Sequence, residues 1–343
     1  MKNFWQKLDR PFFCLAPMAD VTDCAFREII TQYGKPDVLW TEFVAADGLA
    51  HQVAREKLLI DLVYGKDEHP IVAQIFSSNP ENIKNAAALC RELGFDGVDI
   101  NMGCPDRTIE KQGAGAGMIK NVDKAIAVIR AAKEGAGDIP VSVKTRIGYN
   151  KNEIDTWLRA ILTEGVSALT VHLRTRKEMS LVPAHWELMP RIVALKNEVS
   201  PDTILIGNGD TVDINDARKK CEETGCDGVM LGRAIFGNPW LFSQLGNSKF
   251  SQVPGSPSAR PDHSKILIPS LTEKLTVMVE HTKLFEQKLG KVKNFAIMKK
   301  HYKAYVNGFD GAKDLRMQLM EAEDASEVEK IVAQFLDSSD KME

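Results

Sequence analysis

The chain has 343 residues, 44% of them apolar and 27% charged, and 44 Lys+Arg stand against 47 Asp+Glu for a formal net charge of −3. This profile excludes a disordered or collagen-like chain and offers no global basic field, so a role on nucleic acid would need a local patch. Six cysteines without a Cys-x-x-Cys pair or a Cys/His metal spacing argue against a disulfide framework or a zinc site and fit a reducing cytoplasm. No apolar run approaches the ~18 residues of a membrane span. The opening apolar stretch is broken by Pro17 and followed by Asp20, so no signal peptide is expected either.

From Phe12 onward, short β-branched runs alternate with segments of helical period, the pattern of repeated βα units. Eight strands are predicted: Phe12 to Ala16, Asp37 to Phe43, Pro70 to Phe76, Gly97 to Asn101, Pro140 to Arg146, Ala168 to His172, Thr203 to Asn208 and Asp227 to Gly232. Helix starts are marked by Asn79 before Pro80, by Asn121 and by Asp213. Eight such units in roughly 230 residues favour a (β/α)8 TIM barrel over a doubly wound sheet. We expect the barrel over residues 1–246, a Ser/Pro/Gly-rich linker over 247–270, and a small all-helical domain over 271–343.

In a barrel, chemistry gathers where strands end. Strand 1 ends at Pro17 and Met18, strand 3 carries Gln74, and strand 4 runs into Asn101-Met102-Gly103-Cys104-Pro105. Strand 5 carries Lys144 and Arg146, strand 6 ends at His172, strand 7 at Asn208-Gly209-Asp210 and strand 8 at Gly232-Arg233. Any one of these reads as a structural residue, but an amide, a thiol, a lysine, an arginine and a histidine converging on one mouth are costly to desolvate unless a ligand uses them. The glycines after strands 7 and 8 stand where barrels commonly bind phosphate. Gly113-Ala114-Gly115-Ala116-Gly117 lacks nucleotide-loop spacing and reads as a mobile loop beside the site. Cys104, between Gly103 and Pro105, is expected at the mouth, where a thiol can donate a proton or, once ionised, act as a nucleophile.

With these residues in place, the chain resembles the tRNA-dihydrouridine synthases. The resemblance is carried by APMADVTDCAFR (Ala16 to Arg27), AQIF (Ala73 to Phe76), DINMGCPDR (Asp99 to Arg107), VKTRIGY (Val143 to Tyr149), LTVHLRTR (Leu169 to Arg176), GNGD (Gly207 to Asp210) and DGVMLGRAIFGNPWLF (Asp227 to Phe242), and it continues into KKHYKAY (Lys299 to Tyr305). It implies an FMN-binding barrel and a helical domain that grips tRNA, with NADPH as electron donor and reduction of the C5=C6 bond of chosen uridines. By the same resemblance, Pro17, Met18 and Ala19 line the flavin, Gln74 and Lys144 contact its ring system with help from His172, and Asn208, Gly209, Asp210, Gly232 and Arg233 hold its phosphate. Cys104 is the implied catalytic acid, with Asn101 and Arg146 close to the uracil.

The sequence departs from the family pattern at Met179 to Trp186, which replaces Tyr-Ser-Gly-x-Ala-Asp-Trp, and in a longer linker. Between His281 and Lys303 stand seven lysines and one acid, Glu286. Lys283, Lys291, Lys293, Lys299, Lys300 and Lys303 are therefore candidate tRNA contacts. Two other readings compete. A dihydroorotate dehydrogenase-like FMN enzyme would not need the lysine-rich helices, and an RNA-binding barrel without catalysis would not need Cys104, Lys144 and His172 together. A monomer in the cytoplasm, without metal or membrane, is expected.

Overall fold

The computed structural model describes residues 3–245 and 269–339, so most of the predicted linker lies outside the described residues. Two compact units are formed, one from residues 1–19 and 37–233, the other from 20–36 and 234–343.

The first unit is a parallel barrel of β1 (Phe12–Leu15), β2 (Leu39–Ala45), β3 (Ile71–Phe76), β4 (Gly97–Met102), β5 (Val141–Arg146), β6 (Ala168–His172), β7 (Ile204–Asn208) and β8 (Gly228–Leu231). The strands are ordered β1-β8-β7-β6-β5-β4-β3-β2, and a parallel bridge from Cys14 to Val38 closes the ring. Each observed strand lies within two residues of its prediction. The runs are readable because strands covered on both faces need continuous apolar, β-branched sequence. Below the N-terminal ends of the strands the turn Phe4–Lys7 seats Trp5, 1% exposed, against Phe12 and Trp40, with ring centroids 6.0 and 5.7 Å away. This apolar floor leaves polar residues to the opposite end.

Register then assembles that end. Gln74 lies beside Asp99, Asn101 beside Lys144, Arg146 beside His172, and His172 beside Asn208. The outer helices start at their predicted caps: Asn79 accepts from the N–H of Glu81 at 3.0 Å, Asn121 from Lys124 at 3.1 Å, and Asp213 from Asp216 at 2.7 Å. Such a cap satisfies an N–H that the helix itself leaves open and stabilises by about 1 kcal/mol.

In the second unit, helix Cys24–Gly34 packs with the helices Leu271–Leu289, Met298–Tyr305, Ala312–Glu321 and Ala325–Ser339, a grouping that the sequence division at residue 246 does not contain. Phe26 explains it. Its ring stacks on His281 at 4.6 Å and meets His301 edge-on at 4.9 Å, while Tyr33 Oη donates to Glu280 Oε2 at 2.5 Å.

Both histidines are 0% exposed, and none of their ring nitrogens has a hydrogen-bond partner among the described residues. Burial pushes His281 well below the ordinary imidazole value and His301 down to about 3, each aided by a neighbouring cationic or imidazole group. The unfolded chain therefore binds more protons than the folded one between the ordinary value of 6.5 and about 3. The contribution to stability is complete above that window and is lost as pH falls through it. In urea unfolding followed by circular dichroism, we expect each histidine to cost about 1.4 kcal/mol per pH unit below pH ~6. Replacing both by Phe should remove that dependence.

Candidate active site

Strand β4 delivers Asn101 to the mouth, and its Oδ1 accepts from the backbone N–H groups of Gly103 and Cys104 at 3.1 and 2.9 Å. This Asx turn fixes the chain as it leaves the strand. Asp106 then caps helix Arg107–Lys111, accepting from the N–H of Thr108 at 2.8 Å. The glycine-rich stretch, expected as a mobile loop, is instead a buried 3-10 turn over Gly115–Lys120. It backs the Cys104 turn. Ala116 N–H donates to the Cys104 carbonyl at 2.9 Å, and Gly115 has φ +55° and lies so close that a Cβ there would sit 2.7 Å from the same oxygen.

Cys104 is half-buried. Burial pushes its thiol up; the Asp106 N–H, Arg146 and Lys144 pull the other way, and the Asp106 carboxylate adds to the rise. The net upward shift keeps the group a neutral S–H at neutral pH, the state of a proton donor.

Beside it lies a chain of buried amides. Gln74 Nε2 donates to Asp99 Oδ2 at 2.6 Å, and Asn101 Nδ2 donates to Gln74 Oε1 at 3.0 Å. Ser142 Oγ donates to the other Asp99 oxygen at 2.5 Å. Lys144 Nζ donates to Asn208 Oδ1 at 3.1 Å, and Asn208 Nδ2 to the Met230 carbonyl at 2.8 Å. Burial, reinforced by Arg146, brings Lys144 down to about 8, so it remains mostly protonated at neutral pH.

Arginines organise the rest. Arg146, 5% exposed, donates from Nε to the Gly103 carbonyl at 2.8 Å and from Nη1 to the carbonyls of Thr175 and Met179 at 3.2 and 3.0 Å. One guanidinium thus ties the Cys104 turn to the loop after β6. Arg176 makes a second tie, to Glu110. Arg174, 2% exposed, donates from Nη1 to His172 Nε2 at 3.1 Å and pairs through Nη2 with Asp210. Asp210 also accepts from Arg233 Nη2 at 2.7 Å and from the Ala184 N–H at 2.9 Å.

Gly209 is confined to glycine twice over: its φ is +126°, and a Cβ would stand 2.8 Å from Ala184 and 3.2 Å from His172. Trp186 Nε1 donates to its carbonyl at 2.8 Å. The divergent loop is thereby pinned at Met179, Val182, Ala184 and Trp186.

The mouth brings together Gln74, Asn101, Cys104, Lys144, Arg146, His172, Asn208, Gly209, Asp210 and Arg233. Pro17 is buried and Met18 half-buried just past β1, Ala19 is exposed, and a Cβ on Gly232 would come 3.9 Å from the Met18 sulfur. The Asp210 carboxylate pairs with Arg174 and Arg233. Sequence reasoning missed Arg174, Asp99 and Gly115. All three sit inside quoted motifs, yet nothing in one sequence tells which polar residue of a motif turns inward.

The lysines belong to the other unit. Lys283 pairs with Glu329 at 2.5 Å, Lys288 with Glu28 at 2.5 Å, and Lys299 donates to the Met320 carbonyl at 2.5 Å. Counting acids along the chain could not see Glu28 or Glu329. Lys293 faces Asp23, Lys291 and Lys303 are exposed, and Lys300 is half-buried.

Residues 14–340 match the model of the family described as dihydrouridine synthase. The chain belongs to this family. It is 40% identical over 335 residues to the "Probable tRNA-dihydrouridine synthase 2" of Bacillus subtilis (strain 168), covering 97% of each chain. To the "Probable tRNA-dihydrouridine synthase" of Staphylococcus aureus (strain Mu50) it is 38% identical over 335 residues, covering 97% of this chain and 96% of that one. Among solved structures, 6-hydroxypseudooxynicotine amine oxidase from Pseudomonas geniculata N1 shares the fold at a TM-score of 0.50 and 11% identity, over 68% of this chain and 46% of that chain.

The site makes one direct prediction. Arg174 can only donate, so His172 Nε2 must accept and the proton must sit on Nδ1. Burial, with Arg146, Lys144, Arg174 and Arg233 around it, holds His172 well below the ordinary value. Nitrogen NMR should show the neutral Nδ1–H tautomer unchanged from about pH 8 to 5; an imidazolium signal in that range would contradict the assignment.

Proposed function

We propose that this protein is a tRNA-dihydrouridine synthase that reduces the C5=C6 bond of particular uridines in tRNA, with FMN as cofactor and NADPH as electron donor. The observation that carries the reading is a thiol kept protonated on a braced turn, beside buried cations, in a member of the dihydrouridine synthase family.

The residues fit FMN. Lys144 is an ammonium at the base of the mouth whose hydrogen-bond partner among the described residues is a single amide oxygen, leaving donors for an electron-rich ring. Gln74 and His172 flank the same strands. The Gly209 and Gly232 backbones with the Arg233 guanidinium, 67% exposed, suit a phosphate, and Asp210 holds Arg233 in place for it. Pro17, Met18 and Ala19 would cover the other side. When bound, reduced FMN supplies the hydride, and NADPH restores it.

Reduction at C6 leaves negative charge over C5 and the C4 oxygen, so a proton must arrive at C5. Cys104 gives that proton from sulfur and regains one from solvent. Asn101 fixes the thiol by holding its backbone N–H, and Arg146 steadies the turn through the Gly103 carbonyl while its remaining Nη2 donors face no described carbonyl. The target base must leave its stack to enter the mouth, at a cost of a few kcal/mol. The other unit, with Lys291, Lys293, Lys299, Lys300 and Lys303, would supply backbone affinity for tRNA.

Purified protein should be yellow and release FMN on denaturation. Cys104→Ala should keep FMN and still be reduced by NADPH but lose about 10²–10⁴-fold in dihydrouridine formation, measured by nucleoside mass spectrometry. Near wild-type product would refute the acid assignment, and colourless protein that takes up no FMN would refute the cofactor.

Changing Lys291, Lys300 and Lys303 together to Glu should weaken tRNA binding without changing flavin content. Each lost phosphate contact should flatten the slope of log affinity against log salt by about 0.7–0.9. An unchanged slope and affinity would remove these lysines from the tRNA surface.

A further inference from the structure

The chain of amides under the mouth has a direction. An ionised carboxylate only accepts, so Gln74 must turn its NH₂ toward Asp99. Its oxygen then faces Asn101, which must answer with Nδ2, and the Asn101 oxygen is left to face the N–H groups of Gly103 and Cys104. At one end is an acceptor without protons, at the other two backbone donors. The polarity of every link between them agrees, which is the condition under which such links strengthen one another.

All three side chains are buried, Asp99 and Gln74 at 0% and Asn101 at 7% exposed, so water does not offer the amides an alternative. Two of the three, Gln74 and Asn101, also carry roles in the proposed reaction; Asp99 reaches the mouth through its hydrogen bond to Gln74.

We propose that Asp99 is a positioning residue: its negative charge sets the direction of the Asp99–Gln74–Asn101 chain and so holds the turn that presents Cys104. With that charge removed, Asp99 can donate, Gln74 can reverse, and Asn101 can present NH₂ to the Gly103 and Cys104 N–H groups, which abolishes the turn's anchor. The neutralised state is within reach. Burial, opposed by Ser142, Gln74 and Lys144, brings Asp99 up to about 6. The titratable groups facing it, Lys144 on β5 and Cys14 on β1, both keep their protons below neutral pH.

The inference rests on the proposed function for its catalytic consequence, and its test separates the two. In flavin-free protein without tRNA, alkylation of Cys104 by iodoacetamide, followed by peptide mass spectrometry, reports the turn alone. Asp99→Asn should raise the Cys104 rate at neutral pH about fivefold, the effect of losing one net hydrogen bond.

A thiol below its pKa reacts tenfold more slowly for each unit of falling pH. In wild-type protein, log rate against pH should therefore bend near pH 6, falling less steeply as Asp99 takes its proton, and the bend should vanish in Asp99→Asn. This series needs no variant that folds. A straight line of unit slope from pH 5 to 7.5 in the wild type, or an unchanged rate in a folded Asp99→Asn, overturns the proposal.

In the loaded enzyme, Asp99→Asn should lower kcat for uridine reduction about 10–100-fold, as a misplaced catalytic group does, with KM for tRNA altered less than about twofold. If wild-type protein bends as expected yet forms no dihydrouridine, the function fails and the positioning role stands.

Discussion

Desolvated positive charge is the constraint on which this mouth depends. Arg146 and Arg174 are almost wholly inside the protein, and Lys144 is deep enough that burial lowers its proton affinity. Taking such groups from water costs several kcal/mol each unless hydrogen bonds replace the lost hydration. Carbonyls do this for Arg146, while Asp210 and the Val182 carbonyl do it for Arg174. Lys144 has Asn208 and the distant charge of Asp99. The balance is therefore uneven, with Arg174 tied at all three nitrogens, Arg146 tied at Nε and Nη1, and the lysine only partly satisfied. That unevenness separates residues that build the mouth from those that face what enters it.

The same charge sets the protonation of its neighbours. His172 is kept neutral by four cations and by burial, and so serves as an acceptor for Arg174 instead of adding a fifth charge. Cys104 feels two cations and the Asp106 N–H, all of which favour a thiolate, but burial prevails. A thiol wrapped by cations at a helix start would ionise and become a nucleophile. Here the helix cap is taken by the Asp106 carboxylate, whose negative charge stands beside the sulfur and helps hold its proton. One residue thus ends the turn and starts the helix, while burial keeps Cys104 an acid.

The barrel was legible because its signals are local and repeated: β-branched runs of strand length, and Asn79, Asn121 and Asp213 before their helices. Site residues were legible where they end strands, since the parallel register brings those ends to one place. What could not be read depends on folding across long separations. Arg174 and Asp210 are 36 residues apart, and the pairing between them is invisible along the chain. Gly115 looked like part of a mobile loop because glycines mark freedom unless another backbone, here that of Cys104, already fills the space of a Cβ. The lysine stretch looked free of acids but for Glu286 because Glu28 and Glu329 approach it only through the packing of helices.

A chain with a net charge of −3 offers a polyanion no overall attraction, and salt screens exposed charges beyond about 8–10 Å. Attraction must then come from places where cations outnumber acids within that distance. In the barrel unit the mouth is such a place, but its cations other than Arg233 are buried and act at contact range on whatever group enters. In the helical unit, the partners claimed by Lys283, Lys288 and Lys299 leave a smaller exposed set around Lys291 and Lys303. A protein arranged in this way gains little from nonspecific adhesion to nucleic acid. In the proposed reaction, discrimination would rest on whether a base can be released from its stack and seated against Lys144, Asn101 and Cys104, which is a question of fit and hydrogen bonding and not of overall charge.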